Sequence, residues 1–209
     1  MGFVYGKLFN MPLREYFPYL ACGLAVWSLI SSFANDAPGV FISASHVAQQ
    51  TPLPFSLYVL RRVTNAMLQF LHTWVSFWVV ALYFGVPLGL GTLMVIPGLG
   101  MLSVFGFWLT LALGAVSLRF RDLGQAVSIF THLFFLVTPV VFRIEQLSGQ
   151  SWLAACNPAY HLVEICRAPL LGQPIPWASW QAVFVFNVVG CSLAFVLFAR
   201  CRHRLAYWM

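Results

Sequence analysis

Long apolar runs without charge, broken by clusters of Gly, Pro and Arg, repeat along this 209-residue chain. Crossing the hydrocarbon core of a bilayer takes about 20 largely apolar residues in helical form, so each run of that length predicts a transmembrane helix. Five are predicted, over residues 16–34, 63–84, 92–118, 123–142 and 178–199. The second and third are separated by the Gly- and Pro-rich turn at residues 85–91. The expected fold is therefore all-α: a polytopic helical integral membrane protein with five transmembrane helices in a single domain over residues 1–209.

Two longer stretches lie outside the spans. Residues 35–62 carry Pro38, Pro52 and Pro54 around the polar stretch Ser43-Ala-Ser-His-Val-Ala-Gln-Gln50, long enough for a surface helix that could dock a cytoplasmic protein. Residues 143–177 follow Thr138-Pro139 and hold a potential helix of about 10 residues at 159–168, too short to span and so expected to be re-entrant or interfacial. Both stretches are too short for a catalytic domain, and the chain has no Gly-rich phosphate loop ending in Gly-Lys-Ser/Thr. His161 and Glu164 stand at i and i+3 on the short helix, but no third convergent ligand is evident, so no metal site is expected.

Composition agrees with a membrane chain: 61% of residues are hydrophobic and 8% charged, where a soluble domain has about a quarter charged. The net charge of +6 would suit nucleic acid, but the Arg residues lie between apolar runs too long for a soluble core, so no nucleic-acid partner is expected. The five cysteines form no CxxC pair and indicate neither a disulfide framework nor a zinc site. Ten of the 11 basic residues are Arg. With five spans, Arg61, Arg62, Arg119, Arg121, Arg200, Arg202 and Arg204 fall on one side, and Lys7, Arg14, Arg143 and Arg167 on the other. Basic residues are retained on the cytoplasmic side, so the C-terminus is expected inside and, by parity, the N-terminus outside. Residues 1–9 are apolar, with no basic leader region or cleavage signal, and look like the tail of a helix. The expectation is that the chain lacks a first transmembrane segment, through a truncated gene or a misplaced start; the DNA upstream of Met1 would test the misplaced start.

The carboxylates Glu15, Asp36, Asp122, Glu145 and Glu164 fall at span ends or in loops, and no Lys or Arg sits mid-span. Ion-coupled transporters keep an ionisable group at membrane depth, so the energy source is expected to be a partner rather than a gradient. Neutral polar residues form rows instead. Asn65, Gln69, His72 and Ser76 fall at i, i+4, i+7 and i+11 on one face of the second span, and Ser128, Thr131, Phe135 and Thr138 form a weaker row in the fourth. Two readings stay open: the wall of a passage for an uncharged or hydroxyl-rich substrate, or hydrogen bonding between helices. His72 and His132, the imidazoles within spans, are expected to be satisfied by packing rather than to ligate haem. Gly106, Thr110 and Gly114 make a small-residue edge expected to serve close packing. Tyr16, Tyr19, Gly23 and Trp27 share a face of the first span. Their rings suit either an interfacial belt or a sugar-stacking lining, and Trp27 is the deeper candidate.

Four stretches together resemble the permease subunits of type-two ABC exporters, which carry capsular polysaccharide, O-antigen or polyol-phosphate polymers across the bacterial inner membrane. They are Tyr16-Phe-Pro-Tyr-Leu-Ala-Cys-Gly-Leu-Ala-Val-Trp27; Leu118-Arg-Phe-Arg-Asp-Leu-Gly124 with Phe134-Phe-Leu-Val-Thr-Pro-Val140; Asn157-Pro to Arg167 with Leu171-Gly172; and Arg202-His-Arg-Leu-Ala-Tyr-Trp208. The likeness runs nearly end to end, and the closing motif leans towards capsule-type export. It implies six transmembrane helices, an N-terminal interfacial helix with no counterpart here, and a homodimer with its channel between protomers. It also implies a cytoplasmic ATP-binding partner that holds ATP and Mg, a lipid-linked glycan as cargo, surrounding membrane lipid, and no cofactor in this chain. By resemblance, His46, Gln49, Gln50, Pro52 and Pro54 belong to a coupling segment on the partner, with Arg119, Arg121 and Asp122 near a second contact. Asn157, Pro158, His161, Glu164 and Arg167 belong to an outer gate. The channel candidates are Tyr16, Tyr19, Trp27, Asn65, Gln69, His72, Ser76, Ser128 and Thr131. A type-two permease for a drug or lipid, and an inactive fragment of such a permease, are the alternatives. A membrane enzyme would need a convergent catalytic pair that the sequence does not offer.

Overall fold

The computed structural model describes residues 12–50, 53–87, 89–144, 152 and 156–208, with side chains left out at residues 46–50 and 203–208. The described chain is helical. Seven α-helices follow in order: α1 (Leu13–Asp36), α2 (Val40–Gln50), α3 (Phe55–Phe84), α4 (Val95–Ser117), α5 (Leu123–Val137), α6 (Pro158–Leu170) and α7 (Trp177–Trp208). Short 3-10 turns at Ala37–Gly39 and Leu90–Met94 precede α2 and α4. Residues 1–9, on which the expected missing helix rests, lie outside the described residues, as do Lys7, Pro52 and Glu145.

Four stretches are long and apolar enough to cross a membrane: Leu13–Ser45, Phe55–Phe84, Leu90–Ser117 and Trp177–Arg202. The fourth expected span is shorter than its apolar run. Helix α5 has 15 residues and ends at Val137, about 22 Å at 1.5 Å per residue against a hydrocarbon core of about 30 Å. The stop is local: Thr138 precedes Pro139, whose ring disfavours helical geometry in the residue before it, and Thr138 is extended with ψ 132°. Helix α3 departs in the other direction. It begins at Phe55 rather than Val63, so Arg61 and Arg62 lie within the helix and not in a loop. Long Arg side chains can lay their aliphatic stems along a helix while the head reaches water, so they need not end it. Gly85 ends α3 in a left-handed conformation, φ 66°, with its N–H returned to the last turn.

Helix α1 is the most buried of the spans and packs against α3, α4, α5 and α6. The shared face expected for Tyr16, Tyr19, Gly23 and Trp27 is its buried face. The small-residue edge of α4 does serve close packing. A Cβ at Gly106 would lie 2.7 Å from the Phe33 ring, and one at Gly114 would lie 2.5 Å from Val40. Thr110 between them is fully buried. Helix α7 packs on the other side of α4, where Trp108 donates its indole N–H to Asn187 at 3.0 Å and Asn187 donates to the Met101 carbonyl at 3.1 Å. Both ends of a buried amide are thus satisfied within the apolar bundle.

The bundle has two chemically different ends. At one, Arg62 pairs with Asp36, Ser117 donates to the Pro38 carbonyl at 2.5 Å, and Phe55 meets Phe198, which brings the neighbouring Arg61, Arg119, Arg121, Arg200 and Arg202 to the same end. At the other lie Arg14, Arg143 and Arg167. The alternation of Arg read from the sequence is therefore reproduced by the packing.

Candidate functional site

Asn65, Gln69, His72 and Ser76 all lie exposed on α3. The buried face of the same helix is a separate row, with Val59, Val63, Ala66, Phe70, Phe77 and Ala81 set against the bundle. The polar row makes no helix-to-helix hydrogen bond among the described residues and faces out from the chain. On a helix long enough to span a bilayer, such amide and imidazole groups need water or a polar partner, because lipid offers neither donor nor acceptor. Of the two readings open from the sequence, bonding within this chain is thus not what the row does.

A second surface forms between α1 and α5. A cavity of about 330 Å³ is lined by Leu24, Trp27, Ser28, Ser31 and Asn35 of α1 and by Thr131, His132 and Phe135 of α5. Trp27 packs on Phe135 with centroids 5.4 Å apart. Thr131, Ser28 and Ser31 donate their hydroxyl hydrogens to carbonyls of their own helices, at 2.8, 2.7 and 3.1 Å. Their hydroxyl oxygens therefore remain as acceptors at the cavity. His132 places Nδ1 2.7 Å from the Ser128 carbonyl; that oxygen can only accept, so Nδ1 carries the hydrogen. The sequence singled out Trp27, Ser128 and Thr131 separately; it missed Ser28, Ser31 and Asn35, whose i, i+3, i+7 spacing was the available signal.

Tyr16 and Tyr19 do not line an open surface. Both are buried, and their hydroxyls donate to the loop after α5: Tyr16 to the Val141 carbonyl at 3.0 Å, and Tyr19 to the Phe142 carbonyl at 3.1 Å. Arg167 of α6 joins them. Its Nη1 donates to the Pro139 carbonyl at 2.9 Å, its guanidinium lies 4.1 Å from the Tyr19 ring centroid, and it pairs with Glu164 at 2.5 Å. The Arg167 side chain is 4% exposed and that of Glu164 12%, so the charge pair is inside the protein. Helix α6 is outside the four candidate spans. There, burial pulls the Arg167 guanidinium down, and the Glu164 carboxylate together with Tyr19 and Cys22 more than offsets it, leaving Arg167 above its ordinary range. Burial pushes the neighbouring Cys166 thiol well up, which keeps it protonated and unreactive.

The remaining gate candidates serve structure at the same end. Asn157 caps α6, accepting from the Ala159 N–H at 2.9 Å and donating to Thr138 Oγ1 at 3.0 Å, with Pro158 at the first helical position. His161 and Glu164 do not pair: His161 Nδ1 lies 2.9 Å from Ser179 Oγ on α7, and Glu164 goes to Arg167. The five candidates therefore tie α6 to α1, to the loop after α5 and to α7.

At the Arg-rich end a helix, α2, forms in the segment expected to dock a partner, and it ends at Gln50. His46, Gln49 and Gln50 have no described side chains, and Pro54 precedes α3 as its N-cap. The turn carrying Arg119, Arg121 and Asp122 is exposed and packs beside the start of α2: Ser117 bonds to Pro38, and Gly124 faces the Pro38 ring. Pro38 and Ser117, 79 residues apart in sequence, thus hold the start of α2 beside this turn.

A family model for ABC-2 type transporters matches residues 1–171. Two curated proteins, each an O-antigen export system permease protein RfbA of Klebsiella pneumoniae, are 22% identical to this chain over 206 residues, covering 98% of it and 80% of their own length. With its apolar spans, an Arg-rich end and a match over most of its length, the chain is a multi-pass membrane protein that belongs to the ABC-2 type transporter family.

Proposed function

We propose that this chain is the permease subunit of an ATP-driven exporter that moves a lipid-linked polysaccharide across the bacterial inner membrane. The observation that carries the reading is the polar row on α3, which faces away from the protomer on a helix built to span lipid. A second copy of the chain would enclose that row in a hydrated passage between protomers, and neutral amide and imidazole groups suit a hydroxyl-rich cargo. ATP and Mg would sit on a separate subunit, to which membership of the family points. The C-terminus is cytoplasmic in this reading, since the Arg-rich end carries it. The printed name of the two curated relatives supports a glycan as cargo.

The mechanism is differential stabilisation of two states. ATP closing the partner's domains pushes on the surface formed by α2 and the Arg119 to Asp122 turn, and that surface is joined directly to α1 and α4 through Pro38, Ser117 and Gly114. Two expected results test the two halves. Arg121→Glu lowers recovery of the ATP-binding subunit with the chain by about tenfold, the size of one charge-assisted contact; unchanged recovery removes that turn from the docking surface. Gln69→Leu with His72→Leu lowers polymer export by about tenfold or more while the protein level in the membrane stays normal. Unchanged export takes the row out of the passage.

A further inference from the structure

Helix α5 packs beside α1, yet none of its 15 residues is buried. Behind it lies a cavity of about 270 Å³ whose lining comes from α1, α4, α5, α6 and α7. It is a different space from the polar cavity between α1 and α5, and Trp27 and Thr131, which line both, stand between the two.

No charged or amide side chain lines the cavity behind α5. The Thr131 hydroxyl donates to the Val127 carbonyl at 2.8 Å, and the Trp108 indole N–H is taken by Asn187 at 3.0 Å. A buried water makes about three hydrogen bonds and finds few partners there; an apolar cavity of about 150 Å³ already stays dry and takes up benzene. The floor is also preformed. Phe105, Trp108 and Phe186 pack ring against ring with centroids 5.4 to 6.0 Å apart. A pocket with fixed walls gives up little freedom when it is filled, so it holds its occupant in one place.

The position of the cavity decides what enters it. Phe105 stands at the middle of α4, within a candidate span, so the cavity is at hydrocarbon depth. Phe130 and Phe134 of α5 line it and are exposed, so it opens outwards from the chain. The medium at that depth is acyl chains, which are narrow, flexible and wholly apolar. Side chains around an empty space forfeit dispersion contacts that such a chain restores.

We propose that this cavity holds one acyl chain of a membrane phospholipid, which supplies the packing that α5 lacks from its own side chains. The site stands apart from the cargo reading, since its ligand is bilayer lipid and its test reads no transport.

The experiment uses the full chain in phosphatidylcholine nanodiscs that include a phosphatidylcholine with a photoreactive diazirine near the end of one acyl chain. Adducts formed on irradiation are located by peptide mass spectrometry. Phe105, 6% exposed, and Leu109 line the cavity, while Leu193 of α7 is 66% exposed outside it and reports lipid that merely surrounds the protein. Phe105 and Leu109 are expected to be labelled at least as strongly as Leu193. Ala34→Leu and Leu113→Phe each enlarge a side chain of the lining. Each is expected to lower labelling of Phe105 and Leu109 about tenfold, the effect of excluding about two methylenes, and to leave Leu193 unchanged. Weaker labelling of Phe105 and Leu109 than of Leu193 in the parent protein overturns the proposal without recourse to either variant, and is the result if side chains of a second copy fill the cavity instead. Labelling of both residues that neither variant lowers overturns it as well.

Discussion

Arg167→Met is expected to destabilise the protein by about 3–5 kcal/mol, the usual consequence of removing one partner from a buried ion pair. The substitution strands Glu164 with its side chain 12% exposed, strips the Pro139 carbonyl of its donor at 2.9 Å, and removes the cation from the Tyr19 ring. Methionine keeps the unbranched stem as far as the position of Nε, so the loss is chiefly that of the guanidinium with its charge and hydrogen bonds. Removing both charges, with Glu164→Met added, should recover much of the loss, because a buried pair offsets its own desolvation poorly. Arg167→Lys should recover little, since an ammonium cannot hold Glu164 and Pro139 with one planar fork. Denaturant-titrated unfolding in mixed micelles measures all three. A loss below about 1 kcal/mol for Arg167→Met would mean that the pair behaves as a solvated one.

Gly190→Val gives the second large effect, a loss of about 3 kcal/mol from overpacking. Even a Cβ at Gly190 would overlap the Trp108 indole at the carbons its two rings share. That ring has nowhere to go: its N–H is fixed to Asn187, and Phe105 and Phe186 pack on it with centroids 5.4 Å away. Gly100→Ala is the matched control on α4, since a Cβ there meets nothing within 4 Å. It should be neutral or stabilising by up to about 1 kcal/mol, the helix-propensity difference. Equal unfolding midpoints for Gly190→Val and the parent protein would contradict the packing of α4 on α7.

Much of the fold could be read from local pattern. Spacing identified the shared face of Tyr16, Tyr19, Gly23 and Trp27 on α1, though not its burial, as well as the small-residue edge of α4 and the polar row of α3, because in a helix residues three and four apart share a face whatever surrounds it. The errors came at helix ends. The charge-free run of the second span starts at Val63, although Phe55 to Leu60 is equally helical and the two Arg side chains tolerate the helix surface. The apolar run of the fourth span likewise continues through Pro139, where helical geometry does not.

Apolar length, the placement of Arg and the positions of Gly and Pro established a helical membrane protein with two unlike ends, since each of these acts through the bilayer or the local backbone. What they left open was which face of each helix meets another helix. Asn65 and Asn187 are the same residue type in spans of similar composition, yet Asn187 is buried and bonded to Trp108 and Met101 while Asn65 is exposed. Tyr19 and Arg167 could each have faced a passage, and it is contact with the loop after α5, more than a hundred residues from Tyr19, that turns them inward. Such pairings depend on distances between helices far apart in the chain, which only packing of the whole bundle sets.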